Sequence, residues 1–157
     1  MEEQQESMLE YMKRTFLNKQ VVGSRSPAGN WLQFTLNKVE RGIAEIELIV
    51  REDMCNPYGN IHGGMMSLLI DEVIGWSVAS LSTQQNYTSL NLNVDFLYAI
   101  HRGEHLRAIA KVVREGKKVI HVSCEVFDQK GRILAKASSN LIVTGMKPEA
   151  GTFRVAN

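Results

Sequence analysis

Asn56-Pro57-Tyr58-Gly59-Asn60-Ile61-His62-Gly63-Gly64 runs directly into Met65-Met66-Ser67-Leu68-Leu69-Ile70-Asp71-Glu72. These two stretches hold the residues best suited to chemistry. A double glycine at a helix start strips side chains from a terminus whose first N–H groups lack intrahelical partners and carry partial positive charge. Such a terminus suits an acyl carbonyl or the oxyanion that develops from it, and one such donor is worth on the order of 10²–10³ in rate. The same glycines also serve tight turning and packing, and spacing alone does not choose between the two uses. Asp71 is the second candidate. On a helix it shares a face with Ser67, Gly75 and Val78, while Glu72 points about 100° away, so the two carboxylates do not work as a facing pair. A carboxylate buried in an apolar sheath has a raised pKa and becomes a better general base. The alternative is that both carboxylates surface where the helix leaves its sheet.

Distance decides how the two could cooperate. Eight residues separate Gly63 from Asp71, or about 12 Å along a helix. One acyl group cannot touch both within a single chain. Joint action therefore predicts a two-fold dimer with antiparallel long helices and two equivalent sites, each taking Gly63 from one chain and Asp71 from the other.

The remaining candidates are weaker. His62 adjoins the glycines, where capping the helix or orienting a carbonyl suits it better than proton transfer. His101 and His105 stand four apart, but Gly103 between them spoils a helical metal pair, and no metal site is expected. Ser89 lacks the G-x-S-x-G setting of a serine nucleophile, and the row Ser89, Asn91, Asn93, Asp95 has the pattern of a solvated sheet face. Arg114, Lys117 and Lys118 flank Gly116 in a turn that could hold phosphates, although basic turns are usually plain surface. Cys55 has no base near it in sequence.

The elements that must position these residues follow from periodicity. Met8, Met12 and Phe16 recur at helical spacing within 2–19, and predict an amphipathic helix capping a sheet edge. Residues 20–30, rich in Gly, Ser, Pro and Asn, predict a loop. Leu32, Phe34 and Leu36 alternate with polar residues, and Ile43 to Val50 alternates again after Glu40-Arg41-Gly42, which predicts a hairpin. From Gly63 to about Leu81 the helix has no continuous polar face, so it is buried on most sides, and only a sheet wrapped around it can do that. Met65, Met66, Leu69 and Trp76 suit its core packing and equally suit an apolar acyl pocket. Four strand-like runs complete the domain, at 88–97, 105–114, 118–127 and 133–144, with a turn at Asp128-Gln129-Lys130-Gly131-Arg132. The expected organisation is an N-terminal helix and loop over 1–29, one α+β domain over 30–146, and a poorly ordered tail over 147–157.

Composition sets the outer bounds. A chain of 157 residues with 44% hydrophobic and 22% charged residues reads as one soluble globular domain. A net charge of +1 gives no field to attract nucleic acid or an acidic membrane. No apolar run approaches the roughly 18 residues that span a bilayer. Two distant cysteines, Cys55 and Cys124, fit a reducing, cytoplasmic setting.

The set Asn56-Pro57-x-Gly59-x-x-His62-Gly63-Gly64 followed by Asp71 resembles the hotdog-fold acyl-CoA thioesterases, in the branch of the phenylacetate-degradation and thioesterase-superfamily-member-2 proteins. The resemblance covers roughly residues 30–145 and implies a hotdog fold, an antiparallel sheet around one long helix. It implies that Asp71 is general base or nucleophile on the thioester. Gly63 would donate its N–H to the thioester oxygen, with His62 beside it, and Asn56 would position the water or the carbonyl. Ser89 would assist on the aspartate side. Gly64, Arg114, Lys117 and Lys118 are the residues expected to contact coenzyme A. The resemblance further implies a homodimer or dimer of dimers, an acyl-CoA substrate and no separate cofactor. Asn91 and Glu72 depart from the family pattern and leave the acyl group open. The rival readings are a non-catalytic acyl-CoA or lipid-binding module and, less favoured, an enoyl-thioester hydratase, whose His/Asp or His/Glu arrangement is not found here.

Overall fold

The computed structural model describes residues 6–145. The tail expected from residue 147 onward, and the first residues of the expected N-terminal helix, lie outside that range. Helix α1 spans Met8–Phe16 and starts in a capping box: Ser7 accepts from the Glu10 N–H, and the Glu10 carboxylate accepts from the Ser7 N–H. It ends earlier than the 2–19 periodicity predicted. Leu17 turns extended, Asn18 takes φ 60°, and the chain then bridges to Leu36 and Thr35 at the sheet edge.

The expected loop over 20–30 is only partly a loop. Its end and the next residues form helix α2, Pro27–Leu32, with Ser26 as N-cap, proline in its first turn and Gln33 left-handed at its C-cap. Strand β1 is consequently Thr35–Glu40 and does not begin at Leu32, which is buried as the last residue of α2. A bulge between Leu36 and Lys38 shifts the alternation, so Leu36 and Val39 both face inward. Strand β2, Ile43–Ile49, follows a turn in which Gly42 takes φ 79°.

Helix α3, Gly63–Ala79, ends two residues short of the predicted limit. Strands β5 (His105–Glu115), β6 (Val119–Asp128) and β7 (Ile133–Val143) lie where alternation placed them. The run 88–97 does not form one strand. It breaks into β3, Tyr87–Ser89, and β4, Asn93–Phe96, both antiparallel to β7. Asn91 sits at the break: its carboxamide oxygen accepts from the Asn140 N–H at 2.8 Å, and its backbone carbonyl accepts from the Ser139 hydroxyl at 2.8 Å. Side-chain groups thus replace part of the backbone ladder, and Leu90, which alternates with the polar row, is itself 58% exposed.

The sheet order is β1-β2-β5-β6-β7-β3, with β4 also on β7, and every strand pairing is antiparallel. This is an α+β hotdog fold: the sheet curls around α3, which packs on β2, β5 and β6. Leu69, Ile70, Val73 and Ile74 of the helix join Ala44, Ile46, Leu106, Ala108, Ala110 and Val122 of the strands in one buried cluster. The uncovered part of α3 is a narrow line through Gly64, Asp71, Gly75 and Ala79. No helix among the described residues is long and apolar enough to cross a membrane.

Candidate active site

The loop before α3 is a closed hairpin of backbone bonds. Asn56 N–H donates to the Asn60 carbonyl at 2.8 Å, and the Gly59 N–H donates to the Asn56 carbonyl at 3.0 Å, with Gly59 at φ 80°. The side chain of Asn56 is already partly engaged, since its oxygen accepts from the Tyr58 and Asn60 N–H groups at 3.0 and 3.2 Å. Its amide nitrogen has no hydrogen bond among the described residues and is the group left to meet a ligand. The loop is tied down by Ile61 N–H to the Ile100 carbonyl and His62 N–H to the Met54 carbonyl.

His62 is the N-cap of α3. Its Nδ1 accepts from the Gly64 N–H at 2.9 Å, which places the proton of the neutral ring on Nε2. Gly64 therefore spends its N–H inside the chain. Gly63 does not: its N–H finds no acceptor among the described residues. The ring of Phe96 stands over Gly63, so close that a Cβ there would lie 3.4 Å from its Cζ, yet Phe96 is 57% exposed. Phe96 alternates with the polar row Ser89, Asn91, Asn93 and Asp95, and nothing in the sequence marks its contact with the helix start.

Asp71 lies exposed on the uncovered line of α3, and Ser89 donates a long hydrogen bond, 3.4 Å, to its Oδ1. The carboxylate in an apolar sheath is Glu72 instead. It is half-buried, and burial pushes its pKa up, against the hydrogen bonds from Trp76 and Ser26 that lower it and with the neighbouring charge of Asp71 adding to the rise. Trp76 Nε1 donates to Oε1 at 3.1 Å and the Ser26 hydroxyl to Oε2 at 3.0 Å. Gly29 of α2 is what admits this arrangement, because a side chain there would collide with the Glu72 carboxylate. A helix hidden in the 20–30 segment thus decides which of two adjacent acids is covered.

The predicted site residues fall into two groups at opposite ends of the fold. Asn56, His62, Gly63 and Gly64 gather at the start of α3 with Phe96, which pairs with Ala135 of β7. Asp71 and Ser89 meet beside Leu141 of β7, the register partner of Ser89. Six residues of strand separate those β7 positions, about 20 Å. The basic turn lies at the Asp71 end: the Lys118 carbonyl accepts from the Val143 N–H, two residues beyond Leu141. Arg114, Lys117 and Lys118 are all exposed there. Met66, Leu69 and Trp76 are buried in the core, and Met65 packs against it. Among the described residues, no group of three His, Cys, Asp or Glu side chains is arranged to hold a metal. Burial pushes the Cys124 thiol up to about 12, so it is inert as a nucleophile at neutral pH.

Known proteins share this fold. Residues 58–135 match the thioesterase superfamily model. A protein of Sulfurisphaera tokodaii, provisionally named an esterase, is 32% identical over 101 residues, covering 64% of this chain and 74% of that protein. A thioesterase-named protein of Streptococcus pneumoniae, solved with coenzyme A, superposes with a TM-score of 0.69 at 26% identity, covering 73% of this chain and 88% of the other. The E. coli PaaI protein from the phenylacetic acid degradation operon superposes with a TM-score of 0.73 at 21% identity, covering 78% and 88%. The fold, the glycine-started helix inside the matched segment and the identity to the archaeal relative agree on one conclusion: the chain belongs to the thioesterase superfamily and has a hotdog fold.

Proposed function

We propose that this protein hydrolyses acyl-CoA thioesters, in sites each built from two chains related by a two-fold axis. The observation that carries the reading is the pairing of a free donor with a distant acid. Gly63 offers an unspent N–H at a helix start, and the one exposed acid of the same helix stands about 12 Å away. An antiparallel mate along the uncovered line of α3 would bring its Asp71 to this Gly63. The likeness to a protein solved with coenzyme A supports a CoA thioester as substrate.

In the proposed reaction the thioester oxygen accepts from the Gly63 N–H, with the His62 ring and the Asn56 amide beside it. Asp71 of the other chain takes a proton from water, and the resulting hydroxide attacks the carbonyl carbon. The oxyanion is held by the same N–H, where it is stabilised more than the ground-state carbonyl. Collapse breaks the C–S bond, Asp71 returns its proton to the departing sulfur, and the acid and coenzyme A as its thiol are released. Ser89 orients Asp71 through its hydroxyl. Arg114, Lys117 and Lys118 are placed to meet CoA phosphates at the Asp71 end, as separate point charges and forks rather than a formed cradle. The protein is proposed to work in the cytoplasm without a further cofactor.

Replacing Asp71 with Asn keeps shape and removes the base. Thiol release from a panel of acyl-CoAs should then fall by about 10² or more, the range of general-base loss, with the wild-type oligomer retained on gel filtration. Near-normal turnover in Asp71→Asn would sink the mechanism. Tight acyl-CoA binding by the wild type with no thiol released would show a binding module instead.

A further inference from the structure

A cavity of about 320 Å3 lies between α1, the 23–26 loop and the outer side of α3. From α1 it takes Met8, Met12 and Phe16, and from α3 it takes Glu72, Gly75 and Trp76. The wall is held rigidly. Trp76 is wedged edge-on between Phe16 and Phe34, with ring centroids 5.2 and 5.7 Å away, and its N–H is fixed by Glu72. The two oxygens of Glu72 are already engaged by Trp76 and Ser26, so the carboxylate closes the wall and does not demand a donor from whatever enters.

The cavity begins one helical turn from Asp71, at Gly75. Gly75 lies one helical turn beyond Asp71, about 6 Å along the axis. It shares that acid's face, lines the cavity, and leaves open space where a Cβ would stand. An acyl chain whose carbonyl is presented to Asp71 can therefore pass over Gly75 without meeting a side chain. At roughly 30 Å3 per water-sized group the cavity holds about ten such groups, the size of an eight-carbon chain or an aryl-terminated one.

We infer that this cavity receives the distal part of a neutral, apolar acyl group, with Gly75 as its threshold and Trp76, Met8 and Met12 as the residues that set acyl length. The inference rests on the hydrolase reading for the position of the carbonyl, and names the substrate class of that site. Its occupant is an acyl chain and not a peptide, because Gly75, one turn from the proposed general base, lines the space, and Trp76 and the methionines of α1 make the rest of it largely apolar.

The test compares octanoyl-CoA with acetyl-CoA, by thiol release and by calorimetric Kd, on the full chain. Gly75→Leu fills the threshold. Because that position also lies on the uncovered line of α3, Met8→Trp narrows the same cavity from α1. Each buried methylene is worth about fourfold, so excluding two of them should lower the octanoyl-to-acetyl ratio of kcat/KM, and of affinity, by about fifteenfold in both variants. Met12→Ala enlarges the cavity and should move the preferred chain length upward. Ratios within twofold of wild type in both filling variants would overturn the inference. If the wild type releases no thiol, the hydrolase reading fails, and the affinity ratios still decide whether the cavity takes the chain. If the wild type hydrolyses octanoyl-CoA and the filling variants keep its ratios, only the cavity assignment fails.

Discussion

Gly63→Pro is a clean removal of one N–H. The residue opens α3, where proline is well accepted, and His62 before it already has φ −66° and ψ 137°, the extended region that a following proline requires. No hydrogen bond within the described chain is lost, and the facing Phe96 ring, being largely exposed, can yield the few tenths of an ångström the new ring needs. Folding stability should change little, while turnover should drop by about 10²–10³, the worth of one preorganised oxyanion donor. Asp71→Asn should be comparably poor for a different reason. Now let one chain carry Gly63→Pro and its mate Asp71→Asn. With each site spanning the two-fold axis, one of the two sites in the mixed pair takes both defects and the other takes neither. The heteropair, purified through two different tags and assayed by thiol release, should regain about half of wild-type activity, one intact site of two. Sites contained within one chain would give no recovery, because every site would then carry one lesion. Parental activity in the mixed pair, beside a fully active wild-type pair bearing the same tags, would refute the two-chain geometry.

Two further outcomes are expected. Folded Glu72 keeps its proton to higher pH than an unfolded glutamate, because burial outweighs its hydrogen bonds from Trp76 and Ser26. Its contribution to stability is therefore full below the ordinary glutamate value of 4.5 and is lost as pH rises through the raised folded value. The Tm of Glu72→Gln minus that of wild type should be most negative near the acid end and climb as pH is raised to about 8; a difference that stays flat with pH would refute the assignment. Cys124, held as a thiol by its burial, should resist iodoacetamide at about pH 8 in the native protein and react once urea unfolds it, as peptide mass mapping would show; fast native labelling would contradict the packing.

Much of the fold was legible in the residues. Strands β2, β5, β6 and β7 follow the alternation of Ile43–Val50 and of the last three runs, and the absence of a polar face on 63–81 announced a helix wrapped by sheet. The errors share a cause: local patterns settled by distant contacts. Ser26-Pro27 reads as a turn, but it is also the cap and first residue of a helix, and the packing of Gly29 on Glu72 brings out the second use. The run 88–97 alternates like one strand, and its break comes from Asn91 meeting Asn140, nearly fifty residues on. Of the candidate site, the His62 cap and the separation of Gly63 from Asp71 follow from helix geometry alone. Which acid is covered does not, since Asp71 and Glu72 are neighbours distinguished only by what α2 lays over one of them. Phe96 over Gly63 had no local signal.

The line of Gly64, Asp71, Gly75 and Ala79 along α3 carries a consequence for mass action. On the two-chain reading, a lone chain holds a donor without an acid at one end and an acid without a donor at the other, and it is silent. Rate is then not proportional to the amount of protein present. Below the dissociation constant of the pair it scales with the square of chain concentration, and specific activity falls on dilution with no change in any residue. Anything that loosens the pair without touching Gly63, Asp71 or the cavity would then move the onset of activity to higher concentration. Assembly itself would then act as the switch.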